Sequence, residues 1–286
     1  MSETFDLNAE NVIEVKGLWY TYMPMEHVAL KDINLTIKQR EFVAVIGKNG
    51  SGKTTLIKHF NGLHKPTKGE VIVGGVPVVD QKVSALAHYI GYVFQNPANQ
   101  IFAETVEKEI AFGPKNLGYD SETINRLVDE ALESQELTEF RSEMPFMLGR
   151  GQLQRLAVAS ILSMDPKILI IDEPTTGLDW RECVYVMEMV KKLNEKGHTI
   201  IMTTHNMKLV SLYARRVIVM RMGEKILDGS TNEVFSRTEL LRSAYIKPPQ
   251  IFRLMSRYPE LSLIDHSVGA VADRIMQTLA KGGKNL

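Results

Sequence analysis

The sequence predicts an α/β fold built on a mostly parallel sheet, and three stretches predict it. The first is Gly47-Lys48-Asn49-Gly50-Ser51-Gly52-Lys53-Thr54, which fits the phosphate-binding pattern G-x-x-x-x-G-K-[ST]. The apolar run Glu41 to Ile46 before it reads as a buried strand, and Thr55 to Phe60 after it has helical spacing with no breaker before Gly62. Glycines let such a loop curl so that successive N–H groups point inward, and the helix end adds partial positive charge. The second stretch is Lys167 to Ile171, an unbroken apolar strand of the kind buried on both faces of a parallel sheet, which delivers Asp172 and Glu173 just before Pro174. The third is Thr199 to Thr204, a strand that ends at His205. Ligands collect at the carboxyl ends of strands in open α/β sheets.

The remaining elements follow in order. Residues 1–11 are polar and read as a loose tail. Val12 to Val15 begins a strand and Leu18 to Tyr22 follows it; Tyr22 first, and Tyr20 second, are the aromatics placed to stack on an adenine face, the alternative being that both are ordinary strand residues. Val28 to Ile37 alternates apolar and polar, as a half-exposed antiparallel strand does. Leu63 to Gly69 is turn chemistry, and Glu70 to Val73 with Val76 to Val79 reads as a hairpin around Gly74-Gly75. Tyr89 to Phe94 is a further strand, stopped at Gln95-Asn96-Pro97, where Gln95 could reach Mg²⁺ or its water. Residues 105–146 are helix-rich, punctuated by Gly113-Pro114 and Gly118 to Asp120, and the helical block of about 97–165 is a candidate subdomain. The glycine turn at Leu148 to Gly151 opens a buried helix, Leu153 to Met164, and Gly151 with that helix end could bind an anion. Trp180 to Lys196 is a long amphipathic helix, and Val217 to Met220 with Lys225 to Leu227 is a hairpin around Gly223. From Gly229 the pattern is short helices, a break at Lys247-Pro248-Pro249, and a last helix at about Val268 to Leu279.

Composition bounds the function. The 286 residues are 44% hydrophobic and 24% charged, with a net charge of zero, and that balance argues against a nucleic-acid partner. A single cysteine excludes an internal disulfide framework and suits a reducing cytosol. The first residues show no signal-peptide pattern, and no apolar run approaches the roughly 18 residues that span a bilayer. Any membrane role is expected to run through a partner.

The residue types imply phosphoryl chemistry. Lys53 would reach the β- and γ-phosphates of a nucleotide and the Thr54 hydroxyl would ligate Mg²⁺. Two carboxylates at the end of a buried strand are costly to desolvate without a task. Asp172 would hold Mg²⁺ through water, and Glu173 would orient or deprotonate an attacking water.

In this order the motifs resemble the ATP-binding cassette (ABC) ATPase family over nearly all of residues 12–235. The phosphate loop is 47–54, Gln95 matches the Q-loop, Leu148 to Gln152 the signature position, Ile168 to Glu173 the Walker B strand with its catalytic glutamate, Gly177-Leu178-Asp179 the D-loop and His205 the switch histidine. Phe60 to Leu63, Val93 to Phe102, Ala111 to Gly118 and Pro248 to Ile251 are similar to the ATPases of energy-coupling factor (ECF) transporters, which include cobalt and vitamin importers. The resemblance implies a P-loop NTPase fold with a mostly parallel core sheet, an antiparallel β subdomain, a helical subdomain and a short C-terminal helical region, 236–286, that helps two ATPases pair. It implies Lys53, Glu173 and His205 as catalytic residues. It implies ATP contacts from Tyr22, Gly47, Lys48, Asn49, Gly50, Ser51, Gly52, Lys53, Thr54, Thr55, Gln95 and Asp179, with Gly149, Arg150, Gly151 and Gln152 facing the nucleotide of an opposing cassette. It implies Mg²⁺ at Thr54, Gln95 and Asp172. The implied partners are a second ABC ATPase subunit, a transmembrane coupling subunit and a membrane-embedded substrate-binding subunit, at the cytoplasmic face of the cell membrane as a peripheral protein.

One departure stands out. The family signature usually reads Leu-Ser-Gly-Gly-Gln, and here Gly149 replaces the serine and Arg150 the first glycine. That predicts a heterodimer with unequal sites, the alternative being a tolerated variant in a symmetric homodimer. The groove near Gln95 and residues 98–118 is expected to receive a helix of the membrane subunit, with Ile101 and Phe102 supplying contact area unless they pack internally. The competing classes are an ATPase of another ABC importer type and a soluble ABC ATPase. The interval between Lys53 and Asp172 lacks the sustained heptads of a chromosome or repair ATPase. The chain carries one cassette, unlike tandem translation factors, and keeps the residues a non-catalytic sensor could lose.

Overall fold

A computed structural model describes residues 5–6, 9–24, 27–255, 273 and 276. The chain opens with two long strands, β1 (Asn11–Tyr22) and β2 (His27–Lys38), paired antiparallel. The two stretches expected before Tyr22 are one strand. Its register shifts between Val15 and Leu18, where Gly17 takes φ 56° and its N–H donates to Asn34 Oδ1 at 2.8 Å. The expected loose tail is anchored ahead of β1. Phe5 stacks on Tyr89 with ring centroids 5.4 Å apart, and Asp6 N donates to Gly74 O at 2.8 Å. A single aromatic in a polar stretch carries no periodicity, so composition hid it.

Next come β3 (Phe42–Ile46), α1 (Lys53–Phe60), β4 (Lys68–Val73), β5 (Val76–Pro77), α2 (Val83–Leu86) and β6 (Ile90–Val93). β2, β1, β4 and β5 form one four-stranded antiparallel sheet. The helical unit is α3 (Val106–Asn116), α4 (Ser121–Ser134) and α5 (Arg150–Leu162). β7 (Ile168–Asp172), α6 (Trp180–Glu195), β8 (Thr199–Thr203), α7 (Met207–Tyr213), β9 (Arg216–Arg221) and β10 (Glu224–Ser230) complete the core. Its six-stranded sheet has the order β10-β9-β3-β8-β7-β6, parallel from β9 to β6, with β10 as an antiparallel edge.

The period of two along a strand divides the core cleanly. Phe42, Ala44 and Ile46 of β3 join one apolar cluster with α6, whereas Val43 and Val45 join another with α1 and the antiparallel sheet. β7 splits likewise, Leu169 and Ile171 to one side and Ile168 and Ile170 to the other. Burying each of these side chains other than Ala44 is worth about 1.5–3 kcal/mol, which explains why both runs read as uninterrupted apolar sequence. A third cluster, with Val106, Ile110, Val128, Leu132 and Leu156, holds the helical unit together.

Gly113-Pro114 does not end a helix as expected. α3 continues through it to Asn116. Proline lacks the N–H that would serve the carbonyl four residues back, and that carbonyl, Ile110 O, accepts from Ser163 Oγ at 2.8 Å instead. α5 starts earlier than Leu153, because Gln152 Oε1 accepts the Gly149 N–H at 2.8 Å and caps the first turn. After β10 come α8 (Thr231–Ser236), α9 (Thr238–Ser243) and α10 (Gln250–Met255), of which Phe235 and Phe252 pack into the α6 side of the core. The helix expected at about Val268 to Leu279 lies outside the described residues but for Asp273 and Met276.

Candidate functional site

The parallel strands aim three loops at one place. β3 leads into 47–54, β7 ends on Asp172 and β8 ends on Thr203, all at the carboxyl edge of the sheet. The first loop needs glycine for close approach. A Cβ at Gly47 would meet Met220 O and Ser51 Oγ at 2.4 Å, and Gly52 takes φ 102° with Ala29 O 2.9 Å from where its Cβ would stand. From outside, the β9–β10 turn pins the loop: Gly223 N donates to Ser51 O at 3.1 Å, and Gly223 O accepts from Lys31 N at 2.8 Å.

Lys53 is buried, with Nζ donating to Gly47 O at 2.9 Å and Lys48 O at 3.3 Å. Burial pushes its ammonium below the usual lysine range, and the charges of Glu173 and Asp172 oppose that shift. Ser51 Oγ is buried and unpartnered in the same loop. Lys48, Asn49 and Gly50 are exposed at its rim. A glycine loop that runs into a helix N-terminus, with a lysine ammonium held inside it, fits a chain of phosphates.

Asp172 is gripped on both oxygens. Tyr92 OH donates to Oδ2 at 3.0 Å, Thr203 Oγ1 donates to Oδ1, and Thr54 Oγ1 lies 3.4 Å from Oδ1. Burial pushes the Tyr92 phenol far up, and the Asp172 charge adds to it. Glu173 takes φ 51°, a left-handed conformation rare for a side-chain-bearing residue and often found at functional sites. That turn swings its carboxylate to His205, whose Nδ1 lies 2.7 Å from Oε2, and Thr176 Oγ1 lies 3.4 Å from the same oxygen. The Glu173 N–H donates to Thr203 O and Oγ1, both at 3.1 Å. Tyr92 and Thr203 were not singled out from the sequence. The available signal was a phenol in an otherwise apolar buried strand, which needs a partner for its hydroxyl.

Thr54 and Asp172 offer two hard oxygens side by side, and the Asp172 carboxylate is already oriented. That donor set fits Mg²⁺, which keeps several waters and substrate oxygens and takes only one or two protein ligands. No larger cluster of His, Cys, Asp or Glu is gathered for a metal among the described residues. Gln95, the third expected ligand, stands exposed beyond β6, whose Val93 pairs with Ile171.

Tyr22 is placed by a ring network. Its hydroxyl lies 3.0 Å from Thr55 Oγ1 and 3.3 Å from His64 Nε2, while His64 Nδ1 lies 3.3 Å from the Tyr20 hydroxyl. Tyr20 packs edge-on to His59 and stacks on His64, so of the two tyrosines Tyr22 is the more exposed. His59 is fully buried on α1. Its Nδ1 faces Thr55 O at 2.7 Å and so carries the proton, and burial pushes the ring down to about 4. Because the unfolded chain holds the ordinary value near 6.5, the unfolded state binds the extra proton between pH 6.5 and 4. His59 therefore contributes full stability above pH 6.5, and that contribution declines as pH falls to about 4. From pH 7 to pH 5 the wild type should lose about 1–2 kcal/mol more than His59→Leu. Urea titrations at the two pH values measure it, and parallel losses in both proteins would show that His59 is not the cause.

At the signature position Gly149 caps α5, and Gly151 lies so close to Glu182 that a Cβ would meet Oε1 at 2.9 Å. The Arg150 guanidinium lies over Gly177 of its own chain, where a Cβ would meet it at 2.3 Å. Asp179 caps α6, its Oδ1 accepting from Glu182 N at 2.8 Å. Between α2, α3 and α5 lies a groove of about 340 Å³ lined by Phe102, Phe112, Gly113, Leu117, Ile161 and Met164 among others. Phe102 is 65% exposed and meets Phe112 edge-on at 4.7 Å. Ile101, expected beside it on the surface, packs instead between the α6 cluster and the helical-unit cluster.

Comparisons with known proteins bear on the family and the fold. A family profile described as ABC transporter matches residues 30–176. The chain is 50% identical over 246 residues to an ABC transporter ATP-binding protein of Caldanaerobacter subterraneus, covering 86% of this chain and 43% of that one, so it spans less than half the length of that relative. It is 42% identical over 246 residues to the energy-coupling factor transporter ATP-binding protein EcfA of Methanocaldococcus jannaschii, covering 85% of this chain and 88% of that one. Among solved structures, CbiO1 of Clostridium perfringens, described as part of the ABC transporter complex CbiONQ, superposes with a TM-score of 0.76 at 36% identity, covering 86% of this chain and 99% of that one.

Proposed function

The chain belongs to the ABC transporter family of ATP-binding proteins, and from that premise we propose that it hydrolyses ATP to energise import of a small nutrient, a vitamin or a transition-metal ion, through an ECF-type complex. The observation that carries the catalytic part is the meeting of Lys53, Thr54, Asp172, Glu173 and His205 at one sheet edge. ATP lies with its triphosphate in the 47–54 loop and its base against Tyr22. Thr54, Asp172 and Gln95 would hold Mg²⁺, which when bound would supply positive charge to the phosphates. Glu173 takes the proton of a water whose oxygen attacks the γ-phosphorus, and the bond to the leaving ADP oxygen breaks. His205, donating from Nδ1, fixes the Glu173 carboxylate. Gly149 to Gln152 and Asp179 face the nucleotide of a second cassette. The Arg150 substitution makes the two sites of such a pair unequal, this chain pairing with a related ATPase.

No helix among the described residues is long and apolar enough to cross a membrane. Attachment to the cytoplasmic face of the membrane therefore runs through partners, a transmembrane coupling subunit and a substrate-binding subunit. The groove at Phe102 and Phe112 takes a helix of the coupling subunit, since two large exposed aromatics beside a concavity are what an apolar helix face would cover. Phe102→Asp should cut nucleotide-driven uptake at least about tenfold, the scale of one lost interface anchor, while ATP binding to the isolated chain stays unchanged. Co-purification of the complex, uptake in vesicles and ATP titration test both halves. Uptake at the wild-type level would reject this docking face, and an isolated wild-type chain that neither binds nor, in its complex, hydrolyses ATP would reject the function.

A further inference from the structure

α9 ends in a turn that glycine usually closes. Ile246 N donates to Leu241 O at 2.9 Å and Tyr245 N to Arg242 O at 3.0 Å, with Tyr245 in the left-handed conformation at φ 58°. This is the paired-bond helix ending in which the left-handed residue is favoured as glycine because a Cβ is disfavoured there. Ile246 and Leu241, the apolar pair that accompanies such an ending, are both buried. Tyr245 is 79% exposed, so packing does not compensate for the conformation. Its ring lies instead over Lys48, with Nζ 4.7 Å from the centroid. Lys48 is the second residue of the phosphate loop. Its carbonyl accepts from Ser51 N at 3.0 Å and from Lys53 Nζ at 3.3 Å, inside the lattice that shapes the loop.

We propose that Tyr245 is a positioning residue for the phosphate loop: its ring holds the Lys48 ammonium and so ties nucleotide affinity to the C-terminal region. The inference rests on the reading that this loop binds ATP. A cation–π contact at an exposed site sets the scale, an effect of about two- to fivefold on affinity. The test measures ATP affinity and thermal stability of the full chain. Tyr245→Gly relieves the left-handed strain, so its melting temperature should match or exceed the wild type while ATP binds about two- to fivefold more weakly. A purely structural tyrosine would not move the two readouts in that way. Tyr245→Phe keeps the ring face and should bind ATP like the wild type. In a Lys48→Ala background, Tyr245→Gly should add nothing. Wild-type affinity in Tyr245→Gly, weak binding in Tyr245→Phe, or a further loss in the Lys48→Ala background would each overturn the proposal. A wild-type chain that binds no ATP would overturn the functional reading first, and a wild-type chain that binds normally isolates the fault to Tyr245.

Discussion

Glu173→Gln lowers ATP turnover by about 10²–10⁴-fold, the range for losing a general base, and the variant retains ATP. The carboxamide has the size of the carboxylate and keeps an oxygen that can accept from His205 Nδ1, now 2.7 Å from Oε2. The left-handed backbone at Glu173 and its N–H bonds to Thr203 do not depend on the side-chain charge. Shape therefore survives and basicity does not. A pair of cassettes loaded with ATP should stay closed, because binding is intact and the step that reopens it is slow. Single-turnover hydrolysis in the intact complex, with bound nucleotide quantified after rapid dilution, reads both effects. Turnover equal to the wild type would remove Glu173 from the mechanism.

Lys53→Ala lowers turnover by about 10²–10³-fold, the cost typical of removing one preorganised charge from a transition state, and weakens ATP binding as well. Lys53 Nζ already sits buried within the loop, held by Gly47 O and Lys48 O. It is there before any phosphate arrives. Burial holds its ammonium below the usual range, so the charge is poorly solvated and gains strongly from a phosphate. For the same reason the alanine variant loses a buried cation, and its melting temperature should not fall with its activity. Lys53→Arg should not restore turnover, because the planar fork differs from the point charge the two carbonyls surround. An alanine variant with wild-type turnover, or an arginine variant that works, would defeat this role.

The functional edge was legible because its parts are local. A strand, a glycine loop and a helix lie in one run of residues at 41–60, and the apolar strands before Asp172 and Thr204 announce burial on both faces. What stayed hidden depends on neighbours distant in sequence. Asp172 is held by Tyr92, 80 residues away, and by Thr203, 31 residues away. Pro114 looks like a helix stop until Ser163, 53 residues beyond Ile110, supplies the missing donor. Ile101 and Phe102 are adjacent and both apolar, and periodicity in so short a turn cannot say which faces inward. The register of β1 was likewise invisible, since the bulge at Gly17 is fixed by a side chain of β2.

The tie between Ser163 and Ile110 has a mechanical consequence. α5 begins at the signature position and is 13 residues long, about 20 Å at 1.5 Å per residue. Just past its far end Ser163 grips α3 two residues before Phe112, the aromatic on the outer groove. α5 is thus joined at its C-terminal end to α3 by a direct bond. A tilt of about 10° over that length displaces one end by roughly 3 Å, and a joint bonded through the backbone carbonyl has little slack to absorb it. A tilt that moves Gly149 by that distance pivots at the Ser163 joint, so it would reach Ile110 and the neighbouring Phe112 as a turn of the joint with a far smaller displacement.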